Sequence, residues 1–371
     1  MVWRYNPPMR AVVTGQVGVD KGPYLEAVRA IAAERGHDLR LCHVGQMMYA
    51  EAPDVPAGRI LNLPMSRLNT LRRSVFKEIQ RIADQHEHVL INTHATFRWR
   101  HGLFAAFDFD QIKAFNADAY ITILDNAESV HQRLLRDHDI DHTLKDILVW
   151  REEELLATEI VANIARGYGH FFMISRGRNI PTTQTIYRLL FERERKKAYL
   201  SFPMSHVMDL PDTLAEIERF KRVMHEHLIC FDPADVDEFT LHKAALDAMQ
   251  EGRTTIQVQA ADGPVTLKTA DVAQVSGDIM GQIYARDFKM VDQSDMIVSL
   301  VPELPSGKPG LSSGVERELH HAFEGGKEVY VIWACRGMPS PFITETATRV
   351  FKSVEEAMEH FTKKGYVGNP N

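Results

Sequence analysis

The stretch IYARDFKMVDQSDMIVSLV (residues 283–301), followed after a turn-rich gap by SSGVERELHHAFEGGKEVYVI (residues 312–332), decides the fold. Met296 to Val301 is a short, mostly apolar, β-branched run, too short for a helix and suited to a buried parallel strand. The segment PELPSGKPG (residues 302–310) holds three prolines and two glycines, which makes it a loop. Val315, Leu319, Ala322 and Phe323 then recur at helical spacing, and Gly325-Gly326 ends that helix. Glu328 to Trp333 is the next strand. In open parallel sheets, ligands sit at the carboxyl ends of strands, where this loop and this helix start would lie.

Glu316 and Glu318 fall in the first turns of the helix, and Asp287, Asp292 and Asp295 precede the strand. A carboxylate at a helix start has a purely structural use, since it complements the helix dipole. The pattern Ser312-x-Gly314-Val315-x-x-Glu318-Leu319, with Gly326-Lys327 behind it and Ile283-x-x-Arg286-Asp287 and Gln293-Ser294-Asp295 ahead, resembles the nucleoside 2-deoxyribosyltransferase superfamily. Its branch of 2'-deoxynucleoside 5'-monophosphate N-glycosidases is the most similar in motif. The resemblance implies that Glu318 is the nucleophile and that Asp287 holds the sugar hydroxyls or helps to protonate the leaving base. A carboxylate suits this role because N-glycosidic cleavage builds oxocarbenium character at the anomeric carbon. Glu316 is the rival nucleophile. The transferases carry Asp where this chain has Ser312, and the monophosphate hydrolases carry Ser, which contacts the 5'-phosphate. A serine hydroxyl can donate to a phosphate dianion that an aspartate would repel. Gly314 belongs to the same substrate-binding motif.

Tyr199-Leu-Ser-Phe-Pro203 resembles the first strand and loop of that superfamily, with Tyr199 at the sugar pocket and Ser205 in the loop within reach of a phosphate. Phe202 departs from the pattern, where glycine is common. Family members are dimers or larger oligomers in which a neighbour's C-terminal segment completes the site, and Ser340 stands in that segment.

The N-terminal half opens with a strand, Arg10 to Thr14, a turn GQVGVDKGP (residues 15–23), and a helix from Leu25 to Arg35. A glycine-rich turn with a lysine between strand and helix is the setting of a phosphate-binding loop. Gly15, Gly18, Lys21 and Gly22 are its candidate nucleotide-binding residues. Together with HVLINTH (residues 88–94), DAYITIL (residues 118–124) and QRLLRD (residues 132–137), it is similar to archaeal-type adenylate kinases over roughly residues 10–190. The resemblance implies ATP and magnesium here, whereas the glycosidase requires no cofactor. Asp20 replaces a glycine, Pro23 a hydroxyl that helps to position magnesium, and Asn92 an acidic strand end. Three losses among groups that neutralise phosphoryl-transfer charge imply a degenerate kinase. Leu71-Arg72-Arg73 and Arg98-Trp99-Arg100-His101 are candidate nucleotide contacts, set against a plain surface role. The alternation of acids and histidines from Arg136 to His142 suits a solvated lid-like loop better than a metal site.

The charged run FERERKK (residues 191–197) marks the boundary. The expected architecture is α/β in two domains: residues 1–192 a P-loop nucleotide kinase-like parallel sheet, and residues 198–371 a Rossmann-like (flavodoxin-like) deoxyribosyltransferase sheet. A hairpin over residues 254–269, turning at Asp262-Gly263, is extra to that pattern. It could cover the pocket, contact the first domain or build an oligomer interface.

The chain has 371 residues, 44% hydrophobic and 25% charged, as in ordinary globular domains. A formal charge of −7 gives no basic footprint for nucleic acid. No apolar run reaches membrane-spanning length, and Cys42, Cys230 and Cys335 have no metal or redox spacing. A cytoplasmic setting, no membrane partner and no metal are therefore expected. The expected function is hydrolysis of the N-glycosidic bond of a (deoxy)nucleoside 5'-monophosphate, with the first domain binding or sensing nucleotide. The alternatives are deoxyribosyl transfer, NAD glycohydrolysis, or nucleotide-dependent regulation without turnover.

Overall fold

The computed structural model describes residues 8–138, 140–177, 182–204 and 207–367. The chain divides into two compact units. The first runs to Phe191 and takes in Asp235–Gln282; the second comprises Glu192–Ala234 and the chain from Ile283 onward.

The first unit contains β1 (Met9–Thr14), α1 (Lys21–Glu34), β2 (Leu39–His43), α2 (Val44–Glu51), α3 (Met65–Gln85) and β3 (His88–Asn92). There follow a small hairpin, β4 (Thr96–Trp99) and β5 (Gly102–Ala105), then α4 (Phe109–Phe115), β6 (Ala119–Leu124), α5 (Ala127–His138), α6 (Leu144–Arg166), β7 (Phe171–Ser175) and α7 (Thr183–Phe191). The sheet order is β2-β3-β1-β6-β7, all parallel. Strand β6 is buried along its whole length, as a strand covered by helices on both faces must be. Thr143 and Asp146 form a capping box that starts α6, the longest helix of the unit. A core of Val12, Phe76, Ile79, Ile91, Phe115 and Tyr120 lies on one face of the sheet.

The second unit contains β8 (Lys197–Ser201), α8 (Pro211–His227) and β9 (Ile229–Phe231). The chain then makes α9 (Phe239–Gln250), the hairpin β10 (Thr255–Ala260) and β11 (Gly263–Lys268), and α10 (Thr269–Gln274), all within the first unit. Helix α11 (Ser276–Asp292) carries it back to β12 (Met296–Pro302), α12 (Ser313–Glu324), β13 (Glu328–Ala334), α13 (Pro341–Thr344), β14 (Arg349–Phe351) and α14 (Val354–Lys363). The sheet order is β14-β13-β12-β8-β9, all parallel. Counted within the unit this is 2-1-3-4-5, the flavodoxin-like order, whose switch point falls between β8 and β12. Both sheets agree with the α/β expectation.

The break at Phe191 coincides with the charged run. Residues 235–282, grouped by linear order with the second half, make their contacts in the first. Glu238 holds the Arg151 guanidinium at 2.6 and 2.9 Å, with both side chains almost fully buried. Gln282 accepts from Arg151 and donates to the Leu148 carbonyl at 3.0 Å. A buried, bidentate pair of this kind ties the insertion to α6, because losing either partner leaves an uncompensated charge. Of the three roles open to the hairpin, contact with the first unit is the one seen. Phe202 also has a definite place: it packs in the core beside Phe220 and Met224, under the Lys221 ammonium at 5.6 Å.

Candidate functional site

In the second unit, Tyr199 and Ser201 end strand β8 and Glu318 projects from α12. Glu318 Oε1 accepts the Tyr199 hydroxyl at 3.0 Å, and Oε2 accepts the Ser201 hydroxyl at 2.6 Å. Tyr199 and Ser201 are two apart on a strand, so they share a face of the sheet. Ser312 is the N-cap of α12, its hydroxyl oxygen accepting from the Val315 N–H at 3.2 Å. That leaves the hydroxyl proton free to donate. Gly314 lies in the first turn, where a Cβ would meet Ser312 Oγ at 3.6 Å, an ordinary contact. The loop geometry therefore does not require glycine there.

Asp287 reaches the same place from α11. One of its oxygens, Oδ1, is buried with no hydrogen-bond partner among the described residues. Burial pushes the Asp287 carboxyl up to about 6; Arg286 opposes the shift and Asp232 adds to it. Burial, and then the Asp287 charge, push Glu318 up to about 8 against its two hydroxyl donors. Tyr199 is held well above its ordinary value, first by burial and then by the two carboxylates, so it remains a donor. Behind this group Asp232 is tied off: Lys221 meets it at 2.9 Å, and the Ala234 N–H donates to it at 2.8 Å.

Glu318, Asp287 and Tyr199 are thus brought together. Glu316 is exposed, in a groove with Arg317, His320 and Glu324 on the other face of α12, and does not join this group. Ser340 starts α13 at an exposed position, its carbonyl accepting from Ile343 and Thr344. Ser205 lies outside the described residues. Ser201 and Lys221 had no sequence signal beyond their places on a strand and on an amphipathic helix.

In the first unit the loop between β1 and α1 has the phosphate-loop form. Gly15 has φ +145°, and a Cβ there would stand 2.6 Å from the Ile123 carbonyl oxygen. Gly18 has φ +89°, and its Cβ would meet the Val130 carbonyl at 3.0 Å. Both positions require glycine. Lys21, 5% exposed, donates to the Gly15 carbonyl at 2.5 Å and to His94 Nδ1 at 3.3 Å. Burial lowers its pKa to about 8 against the pull of Glu154 and Asp20. Burial, and then Lys21, hold His94 well below its ordinary value, which makes it a neutral acceptor. Gly22 opens α1 with nothing near it. Glu154, 1% exposed on α6, binds the loop from behind. It accepts from the N–H groups of Gly15, Ala95 and Thr96 and from the Thr96 hydroxyl, at 2.7 to 2.9 Å.

Asp20 adopts the left-handed conformation (φ 57°, ψ 53°), which glycine takes most readily. Its carboxylate points toward Arg176 at 3.7 Å. Asn92 donates to His43 at 2.9 Å, and the nearest strand-end acid, Asp125, is bound by Arg133 at 2.7 Å. With a proline at residue 23, these groups do not fit a magnesium ion. Beside the loop lies a pocket of about 470 Å³ lined by Gly22, Tyr49, Arg72, Asn92, His94 and Trp99, among others. Arg72 is 3% exposed; it donates to the Asn69 side chain and the Ala105 carbonyl, and its Nη2 is buried without an acceptor. Burial lowers its pKa to about 10. Arg73 instead pairs with Asp108 at the surface, and Arg98 with Glu153 at 2.5 Å.

Residues 14–149 match the model of the AAA domain family. An adenylate kinase of Pyrococcus furiosus is 28% identical over 137 residues, 35% of this chain and 66% of that protein. One of Pyrococcus abyssi is 29% identical over 133 residues, 34% of this chain and 64% of that protein. The chain therefore spans just under two thirds of the length of these relatives. Among solved structures, a shikimate kinase from Acinetobacter baumannii in complex with shikimate is 12% identical, covering 50% of this chain and 90% of that one, with TM-score 0.33. A gluconokinase from Sinorhizobium meliloti is also 12% identical, covering 47% and 85%, with TM-score 0.30. The relatives and the family match fall on the first unit, which is a P-loop kinase-like domain.

Proposed function

We propose that the second unit hydrolyses the N-glycosidic bond of a nucleoside or deoxynucleoside 5'-monophosphate. The observation that carries this reading is Glu318, fixed by Tyr199 and Ser201 at the sheet's switch point and within the field of the Asp287 carboxylate. Two carboxyls whose environments push their pKa values up and apart are a recurrent acid–base arrangement. Between about pH 6 and 8 the pair holds one proton. In the tautomer with that proton on Asp287, a Glu318 oxygen bonds to the anomeric carbon as the C–N bond breaks. The bond pair leaves with the base, whose nitrogen takes the proton from Asp287. Water then attacks the anomeric carbon and gives a proton to Asp287, and Glu318 departs as carboxylate. Ser312, at the start of α12, donates to the 5'-phosphate, which the helix N-terminus also favours.

The first unit, in this reading, binds a nucleotide without phosphoryl transfer. What supports it is the glycine-demanding loop with Lys21, and the Arg72 guanidinium lining the adjoining pocket, whose Nη2 has no acceptor among the described residues and suits an anionic group. The similarity to adenylate kinases favours nucleotide as the ligand class.

Incubation of the full chain with each ribo- and deoxyribonucleoside 5'-monophosphate, each nucleoside, and NAD, scored for free base, tests the reading. Base released from monophosphates and lost in Glu318→Gln supports it. Release from nucleosides or NAD alone removes Ser312 from phosphate recognition and favours the transferase or NAD alternatives. No release from any of them, with and without ATP, sinks the glycosidase.

A further inference from the structure

The hairpin β10–β11 turns over two residues, Ala261 and Asp262, between the paired Ala260 and Gly263. That turn is fastened to α5. The Ala261 N–H donates to the Ser129 hydroxyl at 3.0 Å. Asp262 Oδ2 accepts from Arg133 Nε at 2.9 Å and from Arg136 Nη1 at 3.2 Å. Glu238, at the start of α9, accepts from the Ala127 N–H at 3.0 Å, so the insertion also holds the N-terminal end of α5.

Arg133 sits at the phosphate loop. It is 1% exposed, and its Nη1 donates to the Gly18 carbonyl at 3.0 Å and to Asp125 at 2.7 Å. Its Nη2 is buried with no acceptor among the described residues. Two arginines one helical turn apart that converge on one oxygen make an anion site, and an arginine fork with an unused donor can take a further oxygen. A phosphate group and a carboxylate present the same kind of acceptor to such a fork. The occupant here comes from a residue far away in sequence and remains about one-third exposed, so it can leave.

We propose that Asp262 is a built-in competitor for this site: the phosphate tail of a nucleotide at the P-loop and the hairpin tip bind Arg133 and Arg136 alternately. Nucleotide binding then frees the hairpin, and hairpin docking keeps the loop empty. The proposal rests on the nucleotide-binding reading of the first unit and is independent of the glycosidase reading.

The test uses the full chain, ATP and tripolyphosphate. Calorimetry gives the affinity of the wild type, Asp262→Asn and Lys21→Ala, and hydrogen exchange follows residues 255–268. Asn keeps the shape of the turn and removes its charge. The expected result is ATP and tripolyphosphate affinity about tenfold tighter in Asp262→Asn, a change of about 1.4 kcal/mol. Faster exchange of the wild-type hairpin at saturating ATP is expected with it, and Lys21→Ala should weaken binding in either background. ATP binding equal in wild type and Asp262→Asn, with hairpin exchange unchanged by ATP, overturns the competition and leaves nucleotide binding standing. Absence of ATP binding in both, with both chains folded, overturns nucleotide binding and the competition together.

Discussion

The P-loop cleft and the Glu318 site treat buried charge in opposite ways. Several buried ions of the first unit have a complement. Arg133 meets Asp125 and Asp262, Arg151 meets Glu238, and Glu154 collects four hydrogen-bond donors. Such groups are tied to the fold, because removing one partner strands the other; Arg133 keeps one spare donor, Nη2, among the described residues. In the second unit Glu318 lies in the field of the Asp287 carboxylate, and the direct hydrogen bonds to Glu318 come from two neutral hydroxyls. Burial without a matching cation favours protonation and holds carboxyls where they can exchange protons near neutral pH. Satisfied charge builds structure, and charge left partly unsatisfied is available for chemistry.

The sharpest way to break this comparison is to neutralise one acid in each unit. Glu318→Gln should lower base release by at least ~10³-fold, as losses of a nucleophile do, while the melting temperature holds or rises. A folded variant with full activity would remove Glu318 from the nucleophile's role.

Next in size is Glu154→Ala, which strands three N–H groups and a hydroxyl behind the phosphate loop. A loss of about 3 kcal/mol or more in the stability of the first unit is expected, read from urea unfolding. A loss under about 1 kcal/mol, the size of a surface pair, would mean that water replaces the carboxylate and that the contrast with Glu318 is overdrawn.

The pH dependence sharpens the comparison further. Glu318 ionises at about 8 in the fold, against an ordinary value of 4.5. Over that interval the native state binds more protons than the unfolded chain. The stability associated with this group is fully present below about 4.5 and is lost as pH rises through about 8. Hydrogen exchange of β12 and β13 should therefore speed up as pH rises across that window, beyond the intrinsic change, and Glu318→Gln should flatten the trend. Base release should instead be bell-shaped, rising through about 6 as the pair loses its first proton and falling above about 8 as it loses the proton that Asp287 must give to the base. A stability that rises with pH in the second unit, unaltered in Glu318→Gln, would contradict the burial argument.

The smallest effect concerns Asp20. Replacing it with glycine relieves about 1 kcal/mol of left-handed strain, offset in part by the chain entropy of glycine. The net stability change should stay within about 1 kcal/mol, while ATP binding by calorimetry tightens because a carboxylate leaves the phosphate loop. Unchanged or weaker ATP binding would mean that Arg176 already neutralises Asp20.

Much of this architecture was legible. The run from Met296 to Val301, the glycine pair at 325–326 and the strand from Glu328 foretold β12, α12 and β13 closely, because apolar periodicity and turn residues are local signals. The hairpin around Asp262 was legible for the same reason, although its turn falls at Ala261-Asp262 rather than at Asp262-Gly263. Long α3, whose first turns carry Arg72, and the three buried polar groups that matter most, Ser201, Glu154 and Arg133, were less so. Glu154 stands in the run Glu152-Glu153-Glu154, which reads as a solvated face. Only the packing of α6 against the sheet turns one of the three inward.

Local pattern alone determined the two parallel sheets, the glycine-demanding loop with its lysine, and the helix start that presents Glu318. Tertiary structure decided which of Glu316 and Glu318 faces the strands, and that residues 235–282 belong with the first unit. It also decided that Asp262 meets Arg133 and that Ser201 meets Glu318. These last two contacts join residues 129 and 117 positions apart. No local periodicity encodes such distances. Burial and hydrogen bonding between distant segments set them, and the same burial sets the carboxyl pKa values on which the proposed chemistry depends.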